Sequence, residues 1–185
     1  QSPWDGQSMG CFADTTSEKY GFTRADQDDY ATVSVQRAQR AVKEGDFQAE
    51  IAPVTVTTRK SENVVATDET PFGVDIGRIP HLKPAFDANG TVTAASSSSI
   101  SDGAAAIVIA SAAFAAEHGL KPIARILAYS SHAQAPEWFT TAPAPAIRKA
   151  VEGAGWKMAD VDLFEINEAF ACVTMAAIKD LDIDP

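Results

Sequence analysis

The first half of the chain contains one clear helical pattern, followed by stretches with little periodicity. A capping-box pattern at Thr23 and Asp26 begins a run of apolar residues at helical spacing, which predicts an amphipathic helix over 23–44 with a solvated charged face. Alternating valines predict a strand over 51–58. Prolines and glycines recur through 61–90, so a long loop region is predicted there, and such regions are often functional.

The second half has the pattern of a layered α/β core. A continuous apolar run predicts a buried strand over 104–109, and further strands are predicted over 123–129 and 161–166. A helical pattern follows each run, and these predicted helices are 112–118, 144–153 and 168–181. The alternation of strands and helices predicts an α/β fold class.

Composition narrows the possible functions. The chain has 185 residues, is 45% hydrophobic and carries a formal net charge of -10. Such acidity argues against binding to nucleic acid or to an anionic membrane surface, since both need basic residues. No apolar run approaches the ~20 residues that a membrane span requires. Small molecules and other proteins remain as possible partners.

The two cysteines, Cys11 and Cys172, are far apart and have no further cysteine or histidine at metal-ligand spacing. Neither a disulfide framework nor a metal site is therefore predicted, and a reducing, cytoplasmic compartment is expected. The chain begins at Gln1 and stops at Pro185 directly after a helical pattern. We therefore expect it to be part of a longer protein.

Two segments are candidates for chemistry. In the segment 163–170, an apolar run ends and a helical pattern begins at Asn167 and Glu168, where ligands of α/β folds commonly bind. The alternative is that Asn167 only caps the helix. The segment 91–106 is rich in small and hydroxylated residues and leads into an apolar run, so a ligand could approach its backbone closely. The alternative for this segment is an ordinary serine-rich turn.

Both segments contribute to a resemblance that extends along almost the whole chain. The stretches "GTVTAASSSSISDGAAA", "LKPAFDANG", "TAPAPAIRKA" and "DVDLFEINEAFA" resemble the thiolase family, and "SMG" with "TRADQDDYA" resembles its earlier portion. The resemblance implies a thiolase-like layered αβαβα fold. It divides the chain into a loop domain that binds coenzyme A (1–100), the end of the first core half (101–121) and the start of the second (122–185).

The resemblance also implies roles for individual residues. Asn167 matches the family's asparagine, which holds a water that helps to stabilise a thioester oxyanion or enolate during the reaction. Glu168 is expected to support the asparagine from the side away from the substrate. Ser98 matches the serine that meets the pantetheine arm of coenzyme A. The other matching positions line the tunnel (Leu82, Phe86 and Ala94) or the wall of the acyl pocket (Met9 and Phe139).

Several features depart from the family pattern. Ser8 replaces a common histidine and Ser96 a common asparagine, which leaves the substrate open. Neither Cys11 nor Cys172 matches the family's nucleophile, so both are expected to be inert small hydrophobic residues. The Gly-His-Pro and Cys-x-Gly-Gly-Gly motifs would lie beyond Pro185. We therefore expect this chain alone to be inactive.

The activity implied for the complete protein is that of an acyltransferase of fatty acid metabolism. It would condense two acetyl-CoA to acetoacetyl-CoA or thiolyse a 3-oxoacyl-CoA, using the coenzyme A thioester as substrate and no cofactor. A homodimer or homotetramer is expected. One alternative is a non-catalytic thiolase-like protein that binds coenzyme A or lipid. Another is a ketosynthase relative, against which Asn167 argues because such relatives generally lack this asparagine.

Overall fold

The computed structural model describes residue 2 and residues 6–184. The α-helices of this part of the chain are α1 (Met9–Tyr20), α2 (Arg24–Glu44), α3 (Thr70–Gly73), α4 (Ala112–Glu117), α5 (Pro143–Gly153) and α6 (Ala171–Leu181). Its strands are β1 (Val54–Thr57) and β2 (Glu62–Val65), and its 3₁₀ helices span Ile76–His81, Pro136–Thr141 and Met158–Asp160.

The long helix α2 confirms the prediction from the capping-box pattern. The hydroxyl of Thr23 accepts a hydrogen bond from the amide of Asp26 at 3.1 Å, and the Asp26 carboxylate accepts one from the amide of Thr23 at 2.8 Å. These contacts satisfy amide groups that have no partner within the helix. Gly45 ends the helix in the left-handed conformation, with φ at 76°. The charged residues toward its end are exposed, as predicted.

The helix α1 was not predicted from the sequence pattern. Its N-cap is Ser8, whose hydroxyl accepts a hydrogen bond from the amide of Gly10 at 3.3 Å, and Gly21 ends it with φ at 72°. The buried face combines Phe12 and Ala13 with two hydroxylated residues, so it lacks a continuous apolar stripe. This mixed face explains why hydrophobic periodicity does not reveal the helix.

The region 51–90 is more ordered than predicted. The predicted strand 51–58 is confirmed as β1, which pairs antiparallel with β2 in an exposed hairpin. The prediction that 61–90 is only a loop is wrong, because this region also contains α3 and the 3₁₀ helix Ile76–His81. Elements of four to six residues are too short to produce a clear period in the sequence.

The prediction of three strands in the second half, one of them buried, is wrong for the described chain. None of 104–109, 123–129 and 161–166 pairs with another strand in residues 2 and 6–184. Val108 is 97% exposed and Leu163 is 89% exposed. A strand needs a neighbour to complete its backbone hydrogen bonds, and the described residues offer none to these apolar segments.

The helix α6 is the centre of the core. One end packs in a cluster with Ala13, Val92 and Phe139, and the other packs with Ala144 of α5. The predicted helices 112–118 and 144–153 are confirmed as α4 and α5, whereas α6 starts three residues later than predicted. The segment that contains Asn167 and Glu168 therefore leads directly into the best buried helix.

Candidate functional site

The two candidate segments lie side by side. The amide of Ser98 donates to the carbonyl of Ala169 at 3.0 Å, and the amide of Ala171 donates to the carbonyl of Ser96 at 2.9 Å. Ser97 and Phe170, between these bonds, form an isolated antiparallel bridge. The structure thus joins segments that are more than 70 residues apart in the sequence.

The serine segment is held in shape by its own hydroxyl groups. The amide of Thr93 donates to the Ser96 hydroxyl at 2.9 Å, and the Ser97 hydroxyl donates to the carbonyl of Thr93 at 2.7 Å. Thr93 and Ser96 are buried. The turn interpretation of these residues is therefore correct, and the turn also presents the exposed Ser98 beside Ala169.

The Asp14 carboxylate, on α1, binds the backbone just before this turn. Its Oδ1 accepts hydrogen bonds from the amides of Thr91 and Val92 at 2.7 and 2.9 Å. A Cβ at Gly90 would collide with the Asp14 carboxylate, so this close approach requires glycine. The contact connects α1 to the serine segment and was not anticipated from the sequence.

Asn167 does not cap α6. The N-cap of that helix is Phe170, three residues further along, and no side chain satisfies the first amides. The helix-cap interpretation of Asn167 is therefore wrong. Asn167 is exposed and lines a cavity of about 320 Å³ together with Phe139, Thr140 and Glu165. An amide side chain at the wall of a largely apolar cavity can orient a water or a carbonyl oxygen there.

Glu168 lines a different cavity, of about 490 Å³, together with Ala94 and Ser98. Its carboxylate accepts one hydrogen bond from the Tyr30 hydroxyl at 2.7 Å and another from the Ser34 hydroxyl at 2.6 Å. Burial and, to a smaller extent, the hydrogen bond to Glu168 together raise the pKa of Tyr30 to about 12. The neighbouring residues Asn167 and Glu168 thus line two different cavities.

The predicted site residues Phe86, Leu82 and Met9 lie apart from both cavities. The ring of Phe86 lies against Phe170 at 5.9 Å between centroids, in an edge-to-face arrangement, and it also contacts Gly10, the neighbour of Met9. Leu82 is held through its carbonyl, which accepts a hydrogen bond from Arg24 at 2.9 Å. Leu82, Phe86 and Met9 lie outside the described linings of both cavities.

The cysteines lie away from these cavities. Cys172 is fully buried, its Sγ lies 3.6 Å from the carbonyl of Ala13, and burial raises its pKa to about 11. A thiol with so high a pKa is a poor nucleophile at neutral pH, which agrees with the inert role expected for Cys172. Cys11 is half-buried on α1. Across residues 2 and 6–184, no group of histidine, cysteine, aspartate or glutamate residues could hold a metal ion.

Sequence reasoning missed Tyr30 and Ser34 as site residues. A weak signal was present, since the two hydroxyls stand four residues apart and so share one face of α2. The position of Tyr30 also fits the apolar spacing of α2, which conceals the role of the hydroxyl. No signal in the sequence indicates Glu168 as the partner, which lies 134 residues after Ser34.

Comparison with known proteins supports the resemblance. Residues 2–113 match the family described as "Thiolase, N-terminal domain", and residues 120–185 match "Thiolase, C-terminal domain". The chain belongs to the thiolase family. Its relatives include a "Probable acetyl-CoA acetyltransferase" of Dictyostelium discoideum, 48% identical over 98% of this chain and 44% of the relative. The "Acetyl-CoA acetyltransferase, cytosolic" of Mus musculus is 44% identical over 96% of this chain and 45% of the relative.

Solved thiolase structures share the fold. The crystal structure of the Bacillus anthracis acetyl-CoA acetyltransferase has a TM-score of 0.95 and 40% identity, and covers 100% of this chain and 47% of that chain. The acetyl-CoA acetyltransferase from Syntrophomonas wolfei has a TM-score of 0.85 and 36% identity, and covers 96% of this chain and 45% of that chain. The predicted thiolase-like fold is confirmed. The chain spans less than half the length of these relatives.

Proposed function

We propose that this chain supplies part of the active site of a thiolase-type acyltransferase. The complete protein would condense two acetyl-CoA to acetoacetyl-CoA, or cleave a 3-oxoacyl-CoA with coenzyme A. The observation that carries the proposal is the backbone pairing of Ser98 with Ala169, because it brings the expected coenzyme A segment next to the expected oxyanion segment. Membership of the thiolase family supports the reaction class.

The proposed reaction has two stages. A thiolate first displaces coenzyme A from an acyl thioester to give an acyl-enzyme. A second acetyl-CoA then loses a methyl proton to a base, and its carbanion attacks the acyl group and expels the enzyme thiolate, which gives the 3-oxoacyl-CoA. Asn167 would orient a water toward the oxygen on which negative charge develops, since a preorganised dipole needs no rearrangement during the reaction. Cys172 is too deeply buried to be the thiolate. Cys11 does not match the family's nucleophile either, so we expect the nucleophile in the remainder of the complete protein.

The binding roles belong to the same proposal. Ser98 and Ala94 would contact the pantetheine arm in the cavity that Glu168 also lines. Phe86 and Leu82 would border the tunnel, and Met9 with Phe139 would form the wall of the acyl pocket. Phe139 lines the same cavity as Asn167, which supports its placement near the acyl group.

We also propose the substrate, the assembly and the cellular location of the complete protein. The substrate is a coenzyme A thioester, no cofactor takes part, and the complete protein forms a homodimer or homotetramer. A cytoplasmic location is supported by the relative from Mus musculus that is named cytosolic. No helix in residues 2 and 6–184 is long and apolar enough to cross a membrane.

The test is an assay of the complete protein that carries this chain. Purified protein supplied with acetoacetyl-CoA and coenzyme A should release acetyl-CoA at ~1 to 10³ per second. The isolated chain is the control and should show no turnover. Binding of coenzyme A without turnover by the complete protein would instead support the non-catalytic alternative, and turnover by the isolated chain would contradict the expected need for the remainder.

A further inference from the structure

Asn167 has little of its own structure to hold it in place. Residues 161–168 form no helix or strand, and Asn167 makes one backbone contact, accepting a hydrogen bond from the amide of Ala169 at 3.0 Å. Ile166 packs against the second core cluster, which fixes the chain before it. Ala169 is held by its backbone pairing with the serine segment, so Asn167 and Glu168 lie between two fixed points. Between these points, the position of the Asn167 side chain depends on what holds its neighbour Glu168.

Glu168 is held from α2 by a two-point contact. Tyr30 donates to Oε1 at 2.7 Å and Ser34 donates to Oε2 at 2.6 Å, so each carboxylate oxygen has its own donor. Hydrogen bonds to an ionised acceptor are stronger than neutral ones, and two parallel bonds also fix the orientation of the carboxylate. The ion pairs of the described chain, Arg24–Asp28 and Arg40–Glu44, do not involve Glu168. Within the described chain, the two hydroxyls are thus the side-chain groups shown to hold the Glu168 carboxylate.

Because the pKa of Tyr30 is about 12, its hydroxyl stays protonated and remains a donor across the neutral range. Tyr30 and Ser34 lie one helical turn apart on α2, a long helix with a capped start and a glycine end. A contact from such a helix to an irregular segment restrains the segment more than it stabilises the helix. Glu168 is thus held at the larger cavity, while its neighbour Asn167 lines the cavity that Phe139 also lines.

We infer that Tyr30 and Ser34 are positioning residues which hold Glu168 and thereby aim Asn167 at the reacting oxygen. This inference rests on the proposed function. It assigns to α2 a part in the chemistry. Both residues also line the larger cavity, so an effect on substrate binding alone would appear in KM rather than in kcat. Since Glu168 is exposed, water can replace the lost bonds, and we expect their removal to alter geometry more than stability.

The test uses the complete protein with Tyr30→Phe, Ser34→Ala and both changes together. The double variant should lose about tenfold to a hundredfold in kcat with little change in KM, because small misplacements of a catalytic group are costly. Amide hydrogen exchange over 161–170 should rise at the same time. Tyr20→Phe is the matched control, since its hydroxyl also donates to a carboxylate, Asp180, at 2.7 Å, but on the far side of α1. It should leave both measurements unchanged.

The variant Asn167→Ala tests whether Tyr30 and Ser34 act through Asn167. If Tyr30 and Ser34 act through Asn167, adding their double change to Asn167→Ala should lower kcat no further. An unchanged kcat in the double variant, or a fall that simply multiplies with that of Asn167→Ala, would overturn the inference. If Asn167→Ala itself leaves kcat unchanged, or if the wild-type protein is inactive, the proposed function fails and the catalytic part of this inference fails with it. Hydrogen exchange then still shows whether the two hydroxyls restrain the segment.

Discussion

Asn167 shows how the tertiary structure decides between two interpretations of one residue. The sequence offered two interpretations, a helix cap and a polar group facing a ligand, and the helix start at Ala171 removes the first. Its amide group instead lines a cavity with Phe139 and Glu165. The role of Asn167 in catalysis stays a prediction that kinetics can test.

In the complete protein, Asn167→Ala should lower kcat by about tenfold to a thousandfold, because an interaction that matters mainly in the transition state is lost. KM should barely move. The thermal midpoint should also stay close to that of the wild type, since Asn167 caps no helix. Asn63→Ala, on the exposed strand β2, is the matched control and should leave kcat unchanged. An Asn167→Ala enzyme with normal kcat would remove the residue from the mechanism.

Ser98 is the second residue with a testable role. Its amide pairs with Ala169 through the backbone, which any side chain preserves, while the residue itself is exposed and lines the larger cavity. In the complete protein, Ser98→Trp should therefore fill the cavity and raise KM for coenzyme A thioesters strongly without unfolding the protein. Ser98→Ala is the control of similar size and should change KM far less. A normal KM with tryptophan would refute the placement of the pantetheine arm.

At the scale of elements, helices were predicted better than strands. A helix completes its hydrogen bonds within itself, so the caps and apolar spacing of α2, α4 and α5 were sufficient to identify them. A strand depends on a partner elsewhere in the chain. The apolar runs at 104–109 and 123–129 have the composition of buried strands, but no described residue pairs with them.

The exposure of these runs predicts the behaviour of the isolated chain. Val108 at 97% and Ile126 at 68% exposure are typical of a surface that another part of a protein normally covers. Unpaired apolar segments of this kind also offer edges to other chains. Purified alone, the chain should self-associate at micromolar concentration, as measured by light scattering and sedimentation velocity. A monodisperse monomer with a cooperative unfolding transition would contradict this expectation.

At the scale of the whole molecule, the chain is about two fifths to one half of the proteins it resembles. Its described core forms around α6. The helix α1 packs against α6 through one cluster of buried side chains, and α5 packs against it through the other. That core places both candidate segments next to each other. The division into 1–100, 101–121 and 122–185 stays a prediction, and so do the assembly and the direction of the reaction.

The sequence by itself determined the family, the helix α2 with its caps, and the two segments that we propose for the site. These features depend on residues close together in the chain or on a linear order of motifs, both of which a sequence displays directly. Only the tertiary structure decided that Ser98 pairs with Ala169, that Asn167 and Glu168 line separate cavities, and that Tyr30 and Ser34 hold Glu168. Such contacts join residues up to 138 positions apart, and a hydroxyl on a helix carries no local mark of the distant carboxylate that it will meet.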